Sequence, residues 1–225
     1  MEAAANTTIG DILRSEGAHA PGAERLHWRS LIGVAILGSA LFGAAMGTWA
    51  QSPLQGLFSA IKAPLLLTLT SLVCLPNFFV LNAVLGLGAD MRAALRGIVA
   101  AQSTVALALA SLAPVVLFVY ISGVNYPGAK LANGFAFLLA SLAGQWTLRR
   151  HYSRLIAKDH RHRFTVIAWL VLYQIVAIQL AWTLRPFIGS PEIVTSFFRE
   201  ESFTNAYVEV IRAIRQVATG DGYGY

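Results

Sequence analysis

Five stretches of this chain contain no Asp, Glu, Lys or Arg: Leu31–Ala50, Ala63–Ala89, Gly97–Ala129, Leu131–Leu148 and Phe164–Leu184. They run for 20, 27, 33, 18 and 21 residues. A helix needs about 20 apolar residues to cross the hydrocarbon core of a bilayer. The core offers no water to stray backbone groups, so a stretch of this kind crosses as a helix. The pattern predicts an all-α polytopic membrane helix bundle of about five transmembrane helices. Composition agrees: 12% of the 225 residues are charged, about half of the roughly 25% usual in soluble domains.

Basic residues set the expected orientation. Arg14, Arg25 and Arg29 precede the first span, Arg92 and Arg96 lie between the second and third, and six more lie between the fourth and fifth. Those eleven share one side of a five-span chain, against only Lys62 and Lys130 in the loops of the other. The positive-inside rule places the eleven in the cytoplasm. Three regions follow: a cytoplasmic N-terminal segment (1–29), a five-span domain (30–184) and an extracytoplasmic amphipathic tail (185–225). Glu2, Asp11, Glu16 and Glu24 precede the first apolar stretch, which argues against a cleavable signal peptide. The net charge of +6 comes from residues flanking the spans, so a nucleic-acid partner is not expected. Trp28, Trp49, Trp146 and Trp182 fall at the ends of the apolar stretches, at headgroup level.

Several local signals stand out. Thr8-x-x-Asp11 resembles a weak capping box for a short helix ending at Gly17, either interfacial or a docking element. Ser39, Gly43 and Gly47, and again Ala136, Ala140 and Gly144, recur at four-residue spacing. Such stripes let helix backbones approach closely, within the chain or between chains. Cys74, the single cysteine, reads as a small packing residue.

In the second span Pro64 suits a first helical turn, whereas Pro76 is interior and should kink or break the helix. Asn77 could satisfy the freed group. Broken helices with polar side chains build transporter sites, yet they also occur as plain kinks. Pro76, Asn77, Asn82, Gln102 and Gln145 are therefore the candidate residues of a polar cavity. Pro114 should bend the third span, and Tyr126-Pro127-Gly128 reads as a type II turn closing a hairpin of spans three and four. Arg149, Arg150, Arg154, Lys158, Arg161 and Arg163 form a basic patch suited to anionic lipid. His160 and His162 sit in its positive field, which disfavours a metal cation.

Beyond the fifth span, Arg185–Gly189 should turn the chain away from the membrane. Ser190-Pro191-Glu192 is a helix start. Phe203, Tyr207, Val210, Ile214 and Val217 recur at helical spacing and form a candidate partner face, to be buried on lipid, on the spans or on another protein.

No Asp, Glu, Lys, Arg or His falls inside the five stretches. Proton relays and ion pathways usually need such groups. The metalloprotease motif H-E-x-x-H and phosphate-binding glycine loops are missing. No enzyme activity and no cofactor or metal are expected.

The stretches Asp11–Arg14, Lys62–Asn82, Ser111–Pro114 and Trp182–Gly189, with Phe197-Phe198-Arg199, resemble an uncharacterised group of bacterial five-span membrane proteins, distantly like the Yip-type membrane family. The resemblance implies a bacterial cytoplasmic membrane and no known activity. Two functions fit: a non-catalytic accessory or scaffold subunit of a membrane complex, with lipid and partner subunits as its contacts, or a transporter or channel for a neutral or weakly polar solute.

Overall fold

A long helix runs through each charge-free stretch in the computed structural model, which describes residues 28–189 and 195–198. The order is α1 (Trp28–Gly47), a 3-10 turn (Thr48–Ala50), α2 (Pro53–Val84), a second 3-10 turn (Gly88–Asp90), α3 (Met91–Ile121), α4 (Tyr126–Lys158) and α5 (His162–Thr183). There is no strand among the described residues. All five helices are long and apolar enough to cross a membrane, which fits a multi-pass membrane protein. The predicted terminal helices and the face of Phe203, Tyr207, Val210, Ile214 and Val217 lie outside the described residues.

Each helix outruns its charge-free stretch at one end or both, and this corrects several expectations. α2, α3 and α4 hold 32, 31 and 33 residues, about 46–50 Å of helix against a hydrocarbon core of about 30 Å. Lys62, Arg92, Arg96, Lys130 and Arg149–Lys158, expected in loops, therefore belong to helices. Pro53, not Pro64, occupies the first turn of α2, where its missing N–H costs nothing. Pro64 and Pro76 are both interior, and α2 is helical without interruption from Pro53 to Val84. Each proline removes a single bond from the ladder, and the rest of the ladder remains. Tyr126-Pro127-Gly128 is no type II turn but the first turn of α4. Asn125 caps it, its side-chain oxygen accepting from the Gly128 N–H at 3.0 Å.

α1 packs between α2 and α3, α4 packs along α3, and α5 lies against α2 and α4. Small residues make the close approaches. A Cβ on Gly43 would stand 2.2 Å from the Ser59 carbonyl oxygen of α2, and one on Gly38 would stand 2.7 Å from that of Ala106 in α3. A Cβ on Gly144 would stand 3.2 Å from the Ala101 carbonyl oxygen. Both small-residue stripes therefore serve packing within the chain.

The end where α1, α3 and α5 begin carries nearly all the basic residues and is called here the basic end. One apolar cluster lies toward it, built on Cys74, Phe78, Ile98, Leu148, Tyr152 and Trp169. A second lies toward the opposite end, built on Phe42, Met46, Leu109, Val116, Ala140 and Ile188.

Candidate functional site

Polar side chains in an apolar bundle are costly unless satisfied, so their partners reveal their use. At the opposite end, Gln55, Ser59 and Lys62 follow one another at steps of four and three along α2. They therefore lie on one face, and all three are buried. The segment Arg185–Gly189 folds back over that face. Gln55 Nε2 donates to the carbonyls of Pro186 and Phe187 at 3.2 and 3.1 Å, and to Ser59 Oγ at 3.1 Å. Ser59 Oγ donates to the Phe187 carbonyl, and Lys62 Nζ to that of Pro186 at 2.8 Å. The Lys62 ammonium also lies 4.7 Å from the centroid of the Phe197 ring, which packs in a T-shaped arrangement with Phe58.

This arrangement is a clamp. Outside regular structure, backbone carbonyls need donors when buried, and the α2 face supplies them. Gly189 closes the strap with φ of +71°, and a Cβ there would meet Gln55 Cγ at 2.8 Å. Ile188 completes the second apolar cluster. The expected turn of Arg185–Gly189 away from the membrane is thus corrected: the segment is part of the bundle. Its sequence signal was the Gln55–Ser59–Lys62 spacing, hidden because Lys62 truncated the apolar stretch.

The candidate cavity residues are not brought together. Gln102 and Gln145 line one small, half-open space of about 40 Å³ between α3, α4 and α5. There the Tyr173 hydroxyl donates to Gln102 Oε1 at 3.1 Å, and Gln145 Nε2 faces Ser141 Oγ at 3.4 Å. Gln174, unremarked in the sequence, shares that space. Pro76 and Asn77 are exposed on the outer side of α2, and Asn77 lines a separate hollow beside Trp169. Asn82 is fully buried and donates to the Phe78 carbonyl of its own helix at 2.8 Å. The reason is helical geometry: Pro76 falls on the side of α2 opposite Cys74 and Phe78, which carry the packing, and Asn77 lies on the exposed flank of that face. Asn133, also unremarked, joins α4 to α3 through the Tyr120 hydroxyl.

At the basic end, Arg149, Arg150, Arg154, Lys158, Arg161 and Arg163 are all exposed, though only Arg161 lies in the α4–α5 turn itself. Asp90 pairs with Lys158 at 2.5 Å and faces buried His162 at 3.3 Å. Arg161 donates to the Leu85 carbonyl at 2.8 Å, tying the α4–α5 turn to the end of α2. Among the described residues no three His, Cys, Asp or Glu side chains group to hold a metal ion.

Arg161 also binds Asp159. Its Nη2 and backbone N–H donate to the carboxylate at 2.7 and 2.9 Å. These bonds, chiefly those of the guanidinium, hold the Asp159 carboxyl at about 2, below the usual value of about 3.9. A depressed carboxyl stabilises above its unfolded value and loses that contribution as pH falls through the folded one. The turn should therefore hold above about pH 4 and loosen between about pH 4 and 2. The protection factor of the Arg161 amide, followed by hydrogen exchange, checks this; protection unchanged down to pH 2 would refute it.

Comparison with protein-family models, curated proteins and solved structures finds no match.

Proposed function

We propose that this chain is a non-catalytic accessory or scaffold subunit of a membrane protein complex. The observation that carries the reading is the use made of the polar interior. The Gln102–Gln145 space is about 40 Å³, room for a few waters at about 10–15 Å³ each and well below the roughly 300–1,000 Å³ of a typical ligand pocket. Gln55, Ser59 and Lys62 are spent on backbone carbonyls of the strap. Polar groups engaged in this way hold helices and strap in place. In this reading the basic end faces the cytoplasm of a bacterium, and the chain sits in the cytoplasmic membrane among partner subunits.

The test is purification of the full chain from its native membrane in mild detergent. The expected result is co-elution with at least one other membrane protein in fixed ratio. A monodisperse monomer, free of partners, would overturn the proposal. Solute flux into proteoliposomes, abolished by Gln102→Leu, would instead favour a transporter.

A further inference from the structure

α1 packs against both α2 and α3, which meet each other at few points. The result is an open groove of about 430 Å³, within the range of roughly 300–1,000 Å³ typical of ligand pockets. Its walls are Ile32 and Ile36 of α1, Leu72 and Phe79 of α2, and Leu95 and Val99 of α3. Ile36, Leu72 and Phe79 are exposed.

The depth of the groove says what kind of occupant it fits. Along α2 it runs from Leu67 to Phe79, about 18 Å of helix rise. On α3 it ends at Gln102, about 17 Å from the helix start at Met91. Half of a hydrocarbon core is about 15 Å. The groove is therefore about as long as one leaflet is deep and lies in the half of the bundle toward the basic end, with Thr68, Ser71 and Gln102 among its lining residues. A partner helix crossing the bilayer would need a groove of full depth, whereas an acyl chain needs the depth of one leaflet.

Charge at the mouth selects the headgroup. Arg29 precedes Ile32 by three residues, and Arg92 precedes Leu95 by three. Residues at that spacing share a helix face, so each arginine stands one turn beyond the groove at the basic end. Both are on the surface, Arg29 exposed and Arg92 exposed. We propose that this groove binds one acyl chain of an anionic phospholipid, with Arg29 and Arg92 holding its phosphate. Arginine suits that role because its guanidinium meets phosphate oxygens in bidentate fashion.

The test uses the full chain in mild detergent, titrated with palmitoyl-oleoyl-phosphatidylglycerol and followed by native mass spectrometry. Phosphatidylcholine with the same chains is the neutral control. The anionic lipid should bind about tenfold more tightly, and R29Q/R92Q should remove that preference while leaving phosphatidylcholine binding unchanged. Ala35→Phe, which fills the groove, should weaken both lipids. Ile36→Trp, at a half-exposed position of the same wall, serves if Ala35→Phe fails to fold. Glycerol 3-phosphate, which lacks the chains, should not compete. Equal affinity for the two lipids, competition by glycerol 3-phosphate, or binding untouched by a folded groove-filling variant would overturn the proposal. The last result would leave the groove to a partner protein.

Discussion

Gly43→Ala should destabilise the bundle by about 3 kcal/mol, and Gly43→Val should prevent its recovery as a monodisperse species. The added Cβ would stand 2.2 Å from the Ser59 carbonyl oxygen, 2.8 Å from its carbon and 2.9 Å from Ala63 Cβ. The first two are backbone atoms, so no rotamer change relieves the clash. α1 and α2 must separate. Overpacking of this kind costs about 1–3 kcal/mol and sometimes more, a large share of a total stability of about 5–15 kcal/mol. Separation would also loosen Gly47, whose Cβ would stand 2.7 Å from the Gln55 carbonyl oxygen. Gly33 supplies the control. It lies in the same helix, and a Cβ added there would meet nothing within 4 Å, so Gly33→Ala should be neutral or gain up to about 1 kcal/mol from helix propensity. Thermal unfolding in detergent measures both. Equal melting of the two alanine variants would show that the α1–α2 approach is not what holds these helices.

The second large effect should appear at the clamp, and only when two residues are changed together. The Pro186 carbonyl accepts from both Gln55 Nε2 and Lys62 Nζ. In Gln55→Leu the lysine still satisfies it, and in Lys62→Met the glutamine does. Gln55→Leu should cost about 1 kcal/mol, the net worth of an ordinary hydrogen bond. Lys62→Met should come closer to zero, because it also removes a buried charge. The double variant leaves the part-buried Pro186 carbonyl without either side-chain donor, and an acceptor so left costs up to about 1–3 kcal/mol. The double-mutant cycle should therefore show non-additivity of about 1–3 kcal/mol. Hydrogen exchange at Phe187, Ile188 and Gly189 should rise sharply in the double variant alone. Strictly additive losses with unchanged exchange would mean that the strap is held by Ile188 and its apolar neighbours rather than by these donors.

Much of the architecture was readable in advance because bilayer physics leaves few choices. A charge-free run of about 20 residues has one outcome in hydrocarbon, so the five helices and their order followed from Asp, Glu, Lys and Arg positions alone. The glycine stripes were readable for a similar reason, since only small side chains allow such approaches. Their partners were not: nothing near Gly43 in the chain names Ser59, and nothing near Gly144 names Ala101.

The candidate site was much less legible. Proline and asparagine drew attention to Pro76, Asn77 and Asn82, but residue type does not say which way a helix is turned. Packing of Cys74 and Phe78 into the bundle leaves Pro76 and Asn77 outward and Asn82 buried. Lys62 misled in the opposite direction. A lysine ends an apolar stretch in a hydropathy count, yet this one is wholly buried because a carbonyl and an aromatic ring from the far end of the chain meet its ammonium.

The chain by itself determined that its backbone must hydrogen-bond within helices, how many helices that makes, and which end of the bundle gathers positive charge. These are local consequences of solvation, settled residue by residue. Only the tertiary structure decided that Arg185–Gly189 returns to cap α2, that the glutamines of α3 and α4 share one small space, and that α2 and α3 stand apart around an apolar groove. Each of these depends on how whole helices are rotated and spaced. That is set by the sum of many small packing contacts between residues far apart in sequence.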